Sequence, residues 1–116
     1  MFNNIQEIDS PELASWIDDE AQPLRIIDVR EIREITQGTL SGAEPLPLAT
    51  LPLRLGEFLP EEKLVIICRS GARSAQACMF LQQHGFTNVF NLRGGVIGWA
   101  HNALPMVRPE TAAMNV

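Results

Sequence analysis

Apolar residues along this chain fall into short unbroken runs and helical repeats, and the two kinds alternate. Leu24, Ile26, Ile27 and Val29 leave little room for a solvent-facing side between Leu24 and Val29, and Lys63 to Ile67 ends in an unbroken apolar stretch. Short runs that are apolar on both sides read as strands of a parallel sheet covered on both faces. Phe86 to Leu92, centred on Val89 and Phe90, gives another strand, and Asn4 to Ile8 a short first one. Helices fall between them. Ser10-Pro11-Glu12 combines a capping residue, a proline at the first helical position and an acid in the first turn, so a helix starts there. Leu13, Trp16 and Ile17 give it a core-facing stripe, while Asp18, Asp19 and Glu20 form a solvated end and Pro23 resets the chain. A second helix runs from about Arg73 to His84 and stops at Gly85, and Gly94-Gly95 opens a short helical piece through Trp99.

The remaining segments are less regular. Residues 31 to 47 mix charges with Gly38, Gly42, Pro45 and Pro47, which predicts a loop with one helical turn between Glu31 and Thr36. Leu48 to Phe58 reads as a helix, although Pro52 and Gly56 interrupt it. Strands alternating with helices imply an α/β fold: three layers, with a central, mostly parallel sheet and helices on both faces. Ligands of such sheets sit beyond the carboxyl ends of the strands.

Composition narrows the function classes. With 116 residues, 46% of them hydrophobic, the chain supports one domain over residues 1–107, followed by a flexible tail at 108–116. The formal charge of -5, with no basic stripe, argues against nucleic acid. Asn3, Asn4, Gln6, Glu7 and Asp9 occupy the region where a signal peptide would carry a basic start and an apolar run. No apolar stretch reaches membrane-spanning length, so the expectation is a cytoplasmic protein with no membrane partner. Cys68 and Cys78 are too few for a disulfide framework, and no Cys/His cluster has zinc spacing. Neither a metal nor a cofactor is expected.

Chemistry concentrates in one place. Leu64-Val65-Ile66-Ile67 ends in Cys68, passes through Arg69-Ser70-Gly71-Ala72 and enters a helix at Arg73-Ser74. A free thiol is only slightly ionised at neutral pH, and the thiolate is the nucleophile. Loop amides, the unpaired N–H groups of a helix start and nearby guanidiniums all place positive potential on such a sulfur. Cys68 is therefore the candidate nucleophile. Arg69 and Arg73 are candidate anion-binding residues, Arg73 the stronger. Gly71 permits the inward curl of the backbone, and Ser70 and Ser74 are hydrogen-bond donors, with Ser74 also able to cap the helix. Asp28 and Arg30, at the end of the earlier strand, have two readings: they act from behind the loop by pairing with each other or with its backbone, or they contact the substrate.

These residues resemble the rhodanese-like sulfurtransferase family in its small single-domain form. Asp28-Val29-Arg30-Glu31 is similar to the family's D-V-R-E, and Gly38-Thr39-Leu40-Ser41-Gly42-Ala43 to G-H-I-x-G-A. Cys68 to Ser74 matches C-R-S-G-x-R-S, Gly94 to Trp99 matches G-G-x-x-x-W, and Leu104 to Val107 looks like the terminal L-P-V. The resemblance implies the rhodanese-like three-layer sandwich. It also implies a Cys68 persulfide that carries sulfane sulfur from a small anionic donor such as thiosulfate to cyanide or a thiol, including a protein thiol. Two positions depart from the pattern: Thr39 stands in place of histidine, and Pro45 where asparagine is often found.

Two other functions fit the same cysteine: a persulfide carrier loaded by a partner desulfurase, and a phosphatase or arsenate reductase. Loop length disfavours the latter, because four residues separate Cys68 from Arg73 where those phosphatases have five, and Ile67 stands where they usually have histidine. Cys78, beside Ala75, Ala77, Met79 and Leu81, reads as a small core residue rather than a resolving thiol. His84 precedes the helix-capping Gly85 and His101 lies in a polar region, so neither reads as a base for the cysteine. Trp16 and Trp99 read as packing residues.

Overall fold

The computed structural model describes residues 5–109, and in it the apolar runs become the centre of one sheet. Strands β1 (Gln6–Ile8), β2 (Arg25–Asp28), β3 (Ala43–Pro45), β4 (Leu64–Ile67) and β5 (Val89–Leu92) lie in the order β1-β5-β4-β2-β3. Every neighbouring pair in this sheet is parallel. The central strand β4 is buried along its whole length, and its side chains alternate between two cores. Leu64 and Ile66 join Ile27, Leu51, Ala77 and Leu81 on one face. Val65 and Ile67 join Ile26, Leu13, Val96 and Trp99 on the other.

Helix α3 (Ala72–Gln83) covers the first face, with 3₁₀ segments at Leu48–Leu53 and Leu55–Glu57. Helices α1 (Ser10–Asp18) and α4 (Gly95–His101) cover the second, where Trp99 is buried and its indole N–H donates to Pro105 O at 2.8 Å. Trp16 lies half-buried with its ring edge on Phe90. Helix α2 (Ile32–Ile35) is the single turn expected between Glu31 and Thr36.

Several local expectations change. Asp9 rather than Ser10 caps α1: its carboxylate accepts the Glu12 amide at 2.9 Å, and Ser10 is already helical. Residues 48–58 form 3₁₀ turns instead of an α-helix, because Pro52 lacks an N–H and Arg54 leaves helical geometry. The loop expected over residues 31–47 contains β3, a strand too short to show an alternating pattern; it lies at the sheet edge, where the proline at position 45 is tolerated. Asn4 and the expected tail beyond Pro109 fall outside the described residues. Within the described residues no helix is long and apolar enough to cross a membrane.

One contact seats the second face against the end of β4. Gly95 has φ +59°, and a Cβ there would lie 2.6 Å from Cys68 O and closer still to Arg69 O. Only glycine lets α4 approach this near, with Val96 N donating to Cys68 O at 2.9 Å and Ile97 N to Arg69 O at 3.1 Å. Gly95→Ala is expected to destabilise the fold by about 2–4 kcal/mol through overpacking and backbone strain, read as a lower urea midpoint with an unchanged slope.

Candidate active site

Cys68 follows the last residue of β4, at the carboxyl end of the sheet. Gly71 adopts φ 109°, which turns its amide inward to donate to Cys68 Sγ at 3.1 Å. Helix α3 starts at the next residue, so the amides of its first turn have no helical acceptor. One of them, Ser74 N, donates to Sγ at 3.3 Å, and the Ser74 hydroxyl reaches the same sulfur at 3.3 Å. Burial pushes the thiol pKa up. The Ser74 hydroxyl and the amides of Ser74, Gly71 and Ser70 more than offset it, so Cys68 titrates below an ordinary thiol. Cys78 has no such donors, and burial pushes it up to about 12, consistent with an inert core thiol.

Residues outside the loop hold this cradle. Asn91, the one polar residue of β5, is buried; its Nδ2 donates to Gly71 O at 3.3 Å and to Glu7 Oε2 on β1 at 3.0 Å. Its Oδ1 faces the Ser74 hydroxyl in a short hydrogen bond. On the other side, Arg30 pairs with Asp28 through Nε at 3.0 Å and Nη2 at 2.8 Å, and Nη2 also donates to Gly38 O at 2.7 Å. Thr39 donates its hydroxyl to Asp28 Oδ2 at 2.8 Å and completes this buried group.

Arg73 is paired within the protein. Its guanidinium is engaged by Glu34 of α2 through two hydrogen bonds, of 2.7 and 2.9 Å. Arg73 thus commits two of its donors to Glu34, whereas exposed Arg69 has no ion pair among the described residues. His84 bonds Phe80 O at 2.8 Å at the far end of α3, and His101 is exposed at the end of α4; neither is hydrogen-bonded to Cys68. Sequence reasoning missed Glu34, Glu7 and Asn91. The available signal was Asn91 itself, an amide in an otherwise apolar strand.

A model of the rhodanese-like domain family matches residues 9–102. The chain belongs to that family. It is 45% identical over 106 residues to a protein named sulfurtransferase from Allochromatium vinosum, covering 91% of this chain and 98% of that one. A rhodanese-related protein from Thermoplasma volcanium superposes with a TM-score of 0.81 at 28% identity, covering 90% of this chain and 99% of the other. A rhodanese-like domain protein from Staphylococcus aureus gives 0.77 at 30% identity, covering 82% and 91%. These relatives support a role in sulfur transfer.

In this rhodanese-like domain the sulfur is recessed, with Cys68 1% exposed, but its nearest neighbours are polar donors rather than hydrocarbon. A cavity of about 360 Å³ adjoins the loop, lined by Arg30, Glu34, Gln37, Arg69, Val96 and Ile97 among others. A larger one of about 550 Å³ lies by Arg25, Lys63 and Asn88, at the amino ends of the strands and away from the cysteine.

The Arg73 guanidinium holds Glu34 down at about 2, against an ordinary 4.5. A depressed carboxylate contributes its stability above 4.5 and loses it as pH falls toward 2. Because both side chains are about one-third exposed, solvent screening limits the gain. Glu34→Gln is expected to cost about 0.5–1 kcal/mol at pH 7, with the difference from wild type closing between pH 4.5 and 2 in urea titrations.

Proposed function

We propose that this domain is a sulfurtransferase that moves sulfane sulfur from thiosulfate or another donor to cyanide or a thiol, through a persulfide on Cys68. The observation that carries this reading is the convergence of two backbone amides and one hydroxyl on a single sulfur. Such donors stabilise negative charge where it resides before loading and where it returns after release.

In the loading step the Cys68 thiolate attacks the outer sulfur of thiosulfate. A new S–S bond forms, the sulfane–sulfonate bond breaks, and its electron pair departs with sulfite. In the unloading step cyanide, or an acceptor thiolate, attacks the terminal sulfur; the Cys68–sulfur bond breaks and its pair returns to Sγ. Two half-reactions with a covalent intermediate constitute ping-pong catalysis. Arg69 is the guanidinium best placed to orient an anionic donor, because Arg73 is held by Glu34. Asp28 and Arg30 pair with each other and with the backbone at Gly38, and Arg30 also lines the cavity beside the loop. Small anionic donors, cyanide and thiols, protein thiols included, are the partners this chemistry requires. A reducing compartment such as the cytoplasm keeps the thiol in its working form.

Incubation with thiosulfate and cyanide is expected to yield thiocyanate, and Cys68→Ser to abolish it. Intact-mass analysis after thiosulfate alone is expected to show a gain of about 32 Da, one sulfur atom, on the wild type and none on Cys68→Ser. Absence of both overturns thiosulfate as donor. The same mass gain from a desulfurase, without thiocyanate, would assign a carrier instead, and aryl phosphate hydrolysis lost in Cys68→Ser would assign a phosphatase.

A further inference from the structure

The Ser74 hydroxyl has one proton and two acceptors. Cys68 Sγ lies 3.3 Å from it on one side, and Asn91 Oδ1 is hydrogen-bonded to it on the other. The orientation of the Asn91 amide is set by its other end. Its Nδ2 meets the Glu7 carboxylate at 3.0 Å and Gly71 O at 3.3 Å, both acceptors, and turning the amide over would place Oδ1 against them. Oδ1 therefore faces Ser74, where it can only accept. All three groups are enclosed: Ser74 is 0%, Asn91 1% and Cys68 1% exposed, so no bulk water offers the hydroxyl a third choice.

We propose that Asn91 is a positioning residue that competes with Cys68 for the Ser74 proton and so ties the direction of that hydroxyl to the charge on the sulfur. This inference rests on the sulfur-transfer reading for its purpose, but not for its test. When Sγ is neutral, as a thiol or as the inner sulfur of a persulfide, the hydroxyl donates to Asn91 and the amide oxygen is satisfied. When Sγ becomes a thiolate, the hydroxyl turns to it, because a hydrogen bond to a charged acceptor is stronger than one to a neutral carbonyl. No covalent bond changes in this rotation. Release of the terminal sulfur makes Sγ a leaving group, and the hydroxyl arrives on it as the charge develops. The cost falls on the resting thiolate, which forms only by leaving a buried amide oxygen without its partner. Asn91 thereby keeps Cys68 less ionised than its donors alone would make it. That restraint has a use, since a sulfur that must both attack and leave works best when it is not too weak a base.

The other charged or titratable groups facing this region are Arg69 in the loop itself, Glu7 on β1, Asp28 with Arg30 on β2, Glu34 with Arg73 between α2 and α3, and the neutral Cys78 thiol on α3. None of them is substituted in the test, and the loss of the Nδ2 donor to Glu7 is common to all the Asn91 variants. The rate of alkylation by iodoacetamide, a neutral probe, is followed against pH with the modified cysteine identified by peptide mass. Asn91→Leu removes the acceptor with nearly constant volume, and Asn91→Ala removes it while leaving space. Both are expected to raise the thiolate-to-thiol ratio below the midpoint by about tenfold, the value of one ordinary hydrogen bond released. Asn91→Asp, which strengthens the acceptor and adds charge, is expected to lower it. In a Ser74→Ala background the effect of Asn91→Leu is expected to vanish. A residue that merely braces the loop gives the opposite sign, because loosening Gly71 withdraws an amide from the sulfur. Slower or unchanged alkylation in Asn91→Leu and Asn91→Ala, or an equal gain without the Ser74 hydroxyl, overturns the proposal. Alkylation needs no sulfur donor, so this outcome is independent of whether thiocyanate forms.

Discussion

A single enclosed sulfur receives hydrogen bonds from the Gly71 amide, the Ser74 amide and the Ser74 hydroxyl, and much of the molecule is arranged so that they converge. Burial alone would raise the thiol and silence it, as it does for Cys78 one segment away in the same core. The two cysteines belong to the same core cluster and differ in what points at their sulfurs. Preorganised N–H groups make the difference, because they are already in place before charge appears and need not reorganise when it does.

Holding those donors requires backing from three directions. From the edge of the sheet, Glu7 orients Asn91, which in turn holds Gly71 O and the Ser74 hydroxyl. From the second face, α4 comes within bonding distance of the Cys68 and Arg69 carbonyls, an approach that Gly95 alone permits. From β2, the buried Asp28–Arg30 pair fastens the segment at Gly38 and Thr39. A buried ion pair is retained at low cost only when its remaining hydrogen-bonding groups are met, and Thr39 supplies one of these partners with a hydroxyl. The Thr39 hydroxyl keeps the network closed.

Charge near the site is balanced rather than accumulated. Arg73 pairs with Glu34 and Arg30 with Asp28, while exposed Arg69 has no ion pair among the described residues.

Much of this was legible in the order of residues. Apolar runs too short for helices and apolar on both sides could only be strands covered on both faces, so β2, β4 and β5 and the layered arrangement followed from local pattern. The cysteine loop was equally legible, because strand end, glycine and helix start are neighbours along the chain and their geometry is local. Beyond reach were relations between segments distant in sequence: Glu34 against Arg73, Glu7 and Asn91 against the loop, and β3 beside β2. No periodicity records which carboxylate meets which guanidinium, or which acceptor shares a hydroxyl proton, since those pairings arise only when the sheet brings β1 and β5 side by side and sets α2 against α3. Local sterics and hydropathy specify the elements; long-range packing decides which polar groups they bury together.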